Sequence, residues 1–185
     1  TTTLALKDLT GFDGRCDAIY LTTDANTQPA TWDTAETAAL RTRLRQQQTV
    51  PAHQYDFVVV GGGIAGMCAA ASAARLGCKV ALVNDRPVLG GNNSSEIRVP
   101  LGGIIEMGPN QGLGRMIREF GHERSGNAQP GDYYEDRKKE DFIDAEKNIT
   151  LYASQRAVAV KMQGDRIVSV TIQHIETGEQ TELTA

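Results

Sequence analysis

The chain has 185 residues, of which 40% are hydrophobic and 23% are charged, as in a globular protein with one domain and a short extra segment. Its formal net charge of −4 excludes the basic surface that nucleic-acid binding requires, and no apolar run is long enough to span a membrane. Three cysteines without a paired spacing exclude a disulfide scaffold, and together with the three histidines they show no metal-ligand pattern.

The first part of the chain predicts an N-terminal extension with short strands and one helix. Residues 3–24 alternate in a β manner, and a helix is predicted over about 33–47, where an acidic or hydroxyl cap precedes it. Residues 46–54 are interpreted as a linker. The main boundary therefore separates an extension, 1–50, from a second domain, 55–185.

After the linker, a strand, a helix and a second strand follow within about 30 residues. Residues 56–60 are apolar and β-branched, which is typical of a parallel strand covered on both faces. A helix of small residues is predicted over 64–76 and ends at Gly77, a residue suited to a C-terminal cap. With the strand at 79–84, these elements form a βαβ unit with a right-handed crossover.

The rest of the chain predicts two helices, a third parallel strand and a β-meander. A short helix is expected over 112–120. A charged helix is expected over 134–148, with Phe142 and Ile143 on its buried side and the charge run at 135–141 on a solvated face.

A strand at 149–153 precedes three alternating segments, 158–162, 166–175 and 181–183, which are separated by glycine-containing turns. The predicted fold class is therefore α/β. It combines a Rossmann-like βαβ unit and its parallel sheet with a three-stranded antiparallel β-meander, after the short β/α extension.

The strongest functional signal is the Gly-Gly-Gly-Ile-Ala-Gly hexamer at 61–66, which lies between a predicted strand and a predicted helix. Gly61 allows the tight turn, Gly63 lets a pyrophosphate approach the backbone, and Gly66 lets the helix lie close to the sheet. The helix N-terminus directs free N–H groups at the phosphates. The alternative is a plain tight turn. The residues of this phosphate site are Gly61, Gly63, Ile64, Ala65 and Gly66.

The second part of a dinucleotide fingerprint is an acid at the end of the second strand, which binds a ribose hydroxyl. Asn84 stands at that position, and the acid follows at Asp85. Either side chain can accept the hydrogen bond, and the sequence leaves both open. Arg86 lies close by, so a cofactor with a 2′-phosphate is possible but not favoured.

A glycine- and asparagine-rich loop at 89–103 follows the second strand. Its Leu-Gly-Gly-Asn and Ser-Ser-Glu segments, after Asp-Arg-Pro at 85–87, resemble FAD-dependent oxidoreductases of the glutathione-reductase-like fold class, most closely a bacterial group. The resemblance covers 55–185 and implies FAD as cofactor. The alternative is a flexible polar connection.

By this resemblance, the loop runs beside the pyrophosphate towards the flavin, and the strand that enters the meander meets the adenine edge. Glu96 and Arg98 would face the flavin or the substrate, although a surface ion pair explains them equally well. The residues expected near the cofactor through backbone groups or short side chains are Gly91, Asn92, Ser94 and Ala157.

Two other residue types invite a functional interpretation. Cys68 lies on the first helix near the phosphates, but it has no partner cysteine nearby, and core packing is favoured. The three histidines, His53, His122 and His174, are interpreted as surface residues. No catalytic residue and no metal site is assigned.

Three functions follow, in decreasing order of support. The first is an FAD-dependent oxidoreductase that takes a hydride from a small organic substrate. Residues 9–20 resemble linkers from β-sandwich accessory modules, which makes a carbohydrate-related substrate a hypothesis by analogy. The second is an NAD(P)-binding oxidoreductase domain, and the third a non-catalytic module that binds a sugar or a protein.

In the resembling family the polypeptide continues after the meander. The chain is therefore expected to be an incomplete, inactive part of a multidomain enzyme, with the remainder of the parent polypeptide as its partner. No signal-peptide pattern is visible at the first residues, and the sequence does not begin with Met, so the compartment is left open. A soluble protein, cytoplasmic or periplasmic, is expected.

Overall fold

The structure is a computed structural model. It describes residues 50–103, 106, 108–109, 111–121 and 126–185, together with Ala35 and Ala39. The chain divides into two units, Thr1–Gln47 and Gln48–Ala185, and every element below belongs to the second. The strands predicted within 3–24 lie outside the described residues. Ala35 and Ala39, within the predicted 33–47 helix, are both helical. The domain boundaries remain predictions.

The described elements follow the predicted order. The strands are β1 (Ala52–Gln54), β2 (Phe57–Val60), β3 (Val80–Asn84), β4 (Ile149–Ala153), β5 (Gln155–Gln163), β6 (Arg166–His174) and β7 (Gln180–Thr184). The helices are α1 (Ile64–Arg75), α2 (Gly114–Phe120) and α3 (Asp136–Asp144), with a 3-10 turn at Gly131–Tyr134. The predicted α/β fold class, with its parallel sheet and its meander, is confirmed for these residues.

The parallel sheet has the order β2-β3-β4, so β3 is its central strand. All five residues of β3 are buried. The prediction that β2 is covered on both faces is wrong for the described residues, because Phe57 and Val60 are 44% and 54% exposed. These side chains are exposed because, among the described residues, β2 pairs only with β3 and lies at the edge of the sheet.

The second sheet has the order β1-β7-β6-β5. The strands β5, β6 and β7 form the predicted antiparallel meander, and β1 adds to it in parallel beside β7. The interpretation of 46–54 as a linker was therefore wrong for its last three residues. Exposed, polar residues in a short edge strand give little sequence signal, because backbone pairing rather than burial holds them in the sheet.

Two clusters of buried side chains hold these layers together. The small residues of α1 pack on the parallel sheet, where Ala70 and Ala71 have no exposed surface. The two sheets pack on each other through Ala81 and Val83 from the parallel sheet and Ile172 from the other, with Tyr55 between them. The helix ends as predicted, because Gly77 adopts a φ of +95°. Among the described residues, no helix has the length and apolarity needed to cross a membrane.

The helix α3 confirms one prediction and corrects another. Phe142 and Ile143 are buried, as predicted. The interpretation of 135–141 as a solvated face is wrong at Lys139, which is fully buried. Its Nζ donates a hydrogen bond to the carbonyl of Tyr134 and lies 3.7 Å from Asp136 Oδ1. Burial lowers the pKa of Lys139, and the nearby Asp136 carboxylate partly opposes that shift.

The buried lysine predicts a specific pH dependence of stability. In the folded chain the pKa of Lys139 lies below its ordinary 10.5, and unfolding restores that value. Between the two values the unfolded chain binds more protons. The free energy of unfolding should therefore rise with pH, relative to Lys139→Met, by at most about 1.4 kcal/mol per pH unit.

Denaturant unfolding of both proteins from neutral pH to pH 10.5 measures this difference. Lys138→Met is the control, since Lys138 is exposed on the same helix and its variant should follow the wild-type pH dependence. A constant difference between wild type and Lys139→Met over this range would contradict the prediction.

Candidate dinucleotide-binding site

The glycine hexamer forms the turn between β2 and α1. Gly61 has a φ of +113°, and its N–H donates to the carbonyl of Val83 at 2.8 Å. A Cβ atom on Gly66 would lie 1.8 Å from the Gly61 carbonyl oxygen. No side chain fits at that distance, so the first turn of α1 can lie against the Gly61 carbonyl only with glycine at 66. Gly66 was predicted to let the helix lie close to the sheet. Its closest contact is instead with the Gly61 carbonyl in the turn, and Val59 of β2 is the next neighbour.

Gly63 differs, because the protein does not fill the space beside it. A Cβ atom there would meet only the Cα of Gly91, at 3.9 Å. Gly63 is the N-cap of α1 and provides no side-chain cap for the N–H groups that follow. The first N–H groups of a helix have no partner within the helix, so at Ile64 and Ala65 they suit an anion. The residues present therefore fit a pyrophosphate.

The loop after β3 lies against this turn. The N–H of Gly90 donates to the carbonyl of Gly62 at 2.9 Å, and Gly63 and Gly90 form an isolated parallel bridge. A Cβ atom on Gly91 would lie 3.1 Å from the Cα of Gly63. Backbone therefore meets backbone, and the two glycine-rich segments form one cradle beside the N-terminus of α1.

The structure places the Asn84 and Asp85 side chains in different surroundings. Asn84 is 5% exposed, and its Nδ2 donates to the carbonyls of Arg86 and Val88 at 2.9 and 3.0 Å. A Cβ atom on Gly62 would lie only 2.7 Å from the Asn84 side chain, which is too close for both to be accommodated. Asn84 therefore shapes the loop from inside, and its side chain explains why position 62, for which no role was predicted, is glycine.

Asp85, in contrast, is exposed and lines a cavity of about 180 Å³ at the carboxyl ends of β2 and β3. The cavity is lined by Val60, Gly61, Val83, Asp85, Gln155, Arg156 and Ala157. It brings together three of the predicted site residues, from the fingerprint turn, the strand end and the start of the meander. Sequence reasoning missed Gln155, whose Oε1 is buried and has no hydrogen-bond partner among the described residues.

The polar residues of the loop serve mostly to shape it. Ser94 is fully buried, and its hydroxyl donates to the carbonyl of Gly91 at 2.7 Å. Asn92 is exposed, and its carbonyl accepts the N–H of Val99 at 2.9 Å. From outside the loop, the Asp136 carboxylate accepts the N–H of Ser95 at 3.1 and 3.2 Å. Hydrogen bonds therefore join the loop both to itself and to the start of α3.

Glu96 forms a surface ion pair, but its partner is Arg86 and not Arg98. Its Oε2 lies 3.4 Å from Nη1 of Arg86, and both side chains are partly exposed, so the pair adds little stability. Arg98 adopts a φ of +62°, and its Nε donates to the carbonyl of Ser95 at 2.9 Å. Neither side chain joins the cavity at Asp85.

The cysteine and histidine interpretations agree with the geometry of the described residues. Cys68 packs against the core, and burial, with a smaller effect of Glu119, raises the pKa of its thiol. That shift disfavours a reactive thiolate. His174 accepts the N–H groups of Glu176 and Thr177 within a hairpin turn. His53 is exposed on β1, and His122 lies outside the described residues. No metal-binding cluster occurs in the described part of the chain.

Comparison with known proteins agrees with this geometry. A family model described as FAD dependent oxidoreductase matches residues 56–185. A soluble pyridine nucleotide transhydrogenase of Marinobacter nauticus is 37% identical over 79 residues, which cover 39% of this chain and 16% of that protein. Its counterpart in Azotobacter vinelandii is 55% identical over 40 residues, 22% of this chain and 9% of that protein. The chain thus spans 16% or less of these curated relatives.

Solved structures resemble the chain at lower identity. The L-proline dehydrogenase from P. horikoshii is 18% identical with a TM-score of 0.46, over 75% of this chain and 22% of that one. A 3-ketosteroid-Δ4-(5α)-dehydrogenase from Rhodococcus jostii, in complex with 4-androstene-3,17-dione, is 14% identical with a TM-score of 0.49, over 76% and 46%. Because both scores are below 0.5, the fold assignment rests on the strands and helices themselves.

The two fingerprint glycines should respond differently to alanine. Gly66→Ala places a methyl group on the Gly61 carbonyl and should lower the free energy of unfolding of the apoprotein by about 1–3 kcal/mol. Gly63→Ala meets no such contact, so the stability of the apoprotein should change by less than about 1 kcal/mol. Its methyl group would occupy the space expected for the pyrophosphate, and FAD affinity should fall at least about tenfold.

Thermal unfolding of the apoproteins and fluorescence titration with FAD measure the two effects. Unchanged FAD affinity in Gly63→Ala would contradict the assignment of the pyrophosphate to this turn. A large loss of stability in the same variant would show that Gly63 serves folding instead.

Proposed function

This chain belongs to the FAD dependent oxidoreductase family, and we propose that it forms the adenine-dinucleotide-binding part of an enzyme that oxidises a small organic substrate. FAD is the cofactor of the family. When bound, the flavin supplies the hydride acceptor, and the protein supplies binding, orientation and electrostatics. The catalytic activity, the substrate and the electron acceptor are parts of the proposal, because the chain spans a small part of its curated relatives.

One observation carries the proposal: the backbones of the turn at 61–66 and of the loop at 89–103 meet at Gly63 and Gly91, beside a helix N-terminus without a side-chain cap. The Gly63 and Gly91 backbones approach closely, and the space next to Gly63 is not filled by the protein. A pyrophosphate needs this combination of room, N–H donors and a positive helix end. Backbone N–H groups of Ile64 and Ala65 would hold it without any cationic side chain.

The cavity at Asp85 supports a position for the adenosine half of the cofactor. The Asp85 carboxylate would accept hydrogen bonds from a ribose hydroxyl, since it is exposed and lines the cavity while Asn84 is engaged internally. The backbone at Ala157 would lie at the adenine edge. From there the dinucleotide would run across the turn towards Gly91 and Asn92, which places the flavin end on the side of the glycine-rich loop.

Fewer observations bear on the substrate than on the cofactor. A small organic hydride donor fits the family, and a carbohydrate-related donor is favoured only by the resemblance of residues 9–20 to linkers of β-sandwich modules. An NAD(P)-binding domain and a non-catalytic binding module are the competing functions, and the same experiment separates all three.

The experiment identifies the cofactor and then the donor. The natural polypeptide that contains this chain would be purified and denatured, and the released cofactor identified by its visible spectrum and mass. The folded protein would then be mixed anaerobically with sugars, polyols, amino acids and steroids, and bleaching of the flavin absorbance followed. We expect FAD and bleaching by one carbohydrate-related class.

FAD with bleaching only by another class would contradict the carbohydrate part and keep the oxidoreductase. A bound nicotinamide dinucleotide would support the second function. Absence of any cofactor, with no binding of added FAD, would leave the non-catalytic module.

The ribose assignment has its own test. Asp85→Ala should lower FAD affinity about ten- to a hundredfold, because a charged acceptor is lost, while the apoprotein keeps its thermal stability. Asn84→Ala should instead lower the free energy of unfolding of the apoprotein by about 1–3 kcal/mol, because the carbonyls of Arg86 and Val88 lose the hydrogen bonds that the buried Asn84 side chain donates. Fluorescence titration and apoprotein unfolding separate the two. The reverse pattern would assign the ribose to Asn84.

A further inference from the structure

The first residue of α3, Asp136, contacts the glycine-rich loop 41 residues earlier in the sequence. Its two carboxylate oxygens lie 3.1 and 3.2 Å from the backbone nitrogen of Ser95, whose N–H they accept. The Asp136 side chain is only 16% exposed. A hydrogen bond from a backbone N–H to a carboxylate is stronger than one between neutral groups. Asp136 therefore fixes the position of the loop backbone at Ser95.

The neighbouring serine passes this position on to Gly91. The hydroxyl of Ser94, which is fully buried, donates to the Gly91 carbonyl at 2.7 Å. Gly91 lies at the contact between the loop and the turn, where its backbone meets that of Gly63. Since Ser94 and Ser95 are adjacent in sequence, the Asp136 carboxylate and the Gly91 carbonyl hold the same short piece of chain from its two ends.

The start of the loop is held to the turn without α3. The N–H of Gly90 donates to the carbonyl of Gly62 at 2.9 Å, and Gly90 forms the isolated bridge with Gly63. Loss of the Asp136 carboxylate would leave these contacts in place. It would therefore displace the loop mainly beyond Gly91.

Lys139 contributes charge and packing to this arrangement. Its Nζ lies 3.7 Å from Asp136 Oδ1 and donates to the carbonyl of Tyr134. Its Cδ and Cε lie 2.8 and 2.9 Å from the position of a Cβ atom on Gly90, so its methylene groups pack under the loop. The Asp136 side chain thus has two separable roles: it balances a buried ammonium group, and it accepts the N–H of Ser95.

We propose that Asp136 is a positioning residue for FAD, which acts through Ser95 to set where the loop meets the flavin half of the cofactor. The proposal rests on the proposed function. The ADP half of FAD would be held by the turn and by the cavity at Asp85, whose lining residues belong to β2, β3, β5 and the positions next to them. The loop beyond Gly91 would lie beside the flavin half. Its position therefore matters to FAD and much less to ADP.

The test compares FAD with ADP in the natural polypeptide, stripped of cofactor. FAD would be titrated by flavin fluorescence and ADP by competition with FAD, into wild type, Asp136→Ala and Asp136→Asn. Asp144→Ala is the matched control, since Asp144 is an exposed carboxylate on the same helix. Thermal unfolding of each apoprotein identifies a temperature at which all of them are folded.

Asp136→Ala should lower FAD affinity about tenfold, the value of one well-placed hydrogen bond, and change ADP affinity by less than about twofold. Asp136→Asn keeps an oxygen that can accept the N–H of Ser95, so its FAD-to-ADP affinity ratio should stay within about threefold of wild type. Both variants remove the charge beside Lys139 and should be less stable. A role in stability alone would therefore not distinguish them. Asp144→Ala should match wild type.

A double variant covers poor folding of Asp136→Ala. Asp136→Ala combined with Lys139→Met removes the buried ammonium group together with its partner, and it should show the same tenfold loss of the FAD-to-ADP ratio. Lys139→Met alone keeps the hydrogen bond to Ser95 and should keep the ratio.

The inference would be overturned by a wild-type ratio in Asp136→Ala or in the double variant, or by equal losses for FAD and ADP. A loss in Asp136→Asn as large as that in Asp136→Ala would overturn it too. Failure of wild type to bind FAD at all would overturn the proposed function itself, which distinguishes the two failures.

Discussion

The contact between the first turn of α1 and the carbonyl of Gly61 is the constraint on which the candidate site depends. It fixes where the helix begins, because a side chain at Gly66 would collide with that carbonyl. The helix start in turn determines where its free N–H groups point and leaves the open space beside Gly63. The loop after β3 then approaches to backbone distance at Gly91. Gly61 is thus required by its positive φ, and Gly62 and Gly66 by neighbouring atoms. For Gly63, neither φ nor a close contact among the described residues requires glycine.

The loop is held from its other side by a buried charge pair. Asp136 accepts the N–H of Ser95, and Lys139 lies beside Asp136 while its methylene groups pack under Gly90. A fully buried lysine costs desolvation, which the carboxylate and a backbone carbonyl only partly offset. Its position indicates that α3 serves to fix the loop, in addition to covering the sheet with Phe142.

The sequence predicted the element order and the α/β class because apolar runs and glycine punctuation are local signals. Local patterns could not report tertiary partners, which explains the errors. Lys139 resembles its charged neighbours in sequence, yet its methylene groups pack under Gly90 of the loop and its side chain is fully buried. The apolar run of β2 implied two covered faces, but its position at the sheet edge depends on strand order. The roles of Asn84 and Asp85 depended on which side chain turns inward, and only the structure shows that.

The site therefore divides into two parts with different chemistry. The pyrophosphate part consists of backbone, and backbone N–H groups bind any phosphate without distinguishing one dinucleotide from another. Under the proposed function, selection among dinucleotides would come from side chains, and among those that line the cavity Asp85 carries the carboxylate. A carboxylate at the ribose disfavours a 2′-phosphate by charge repulsion, so Asp85 would select against a phosphorylated ribose.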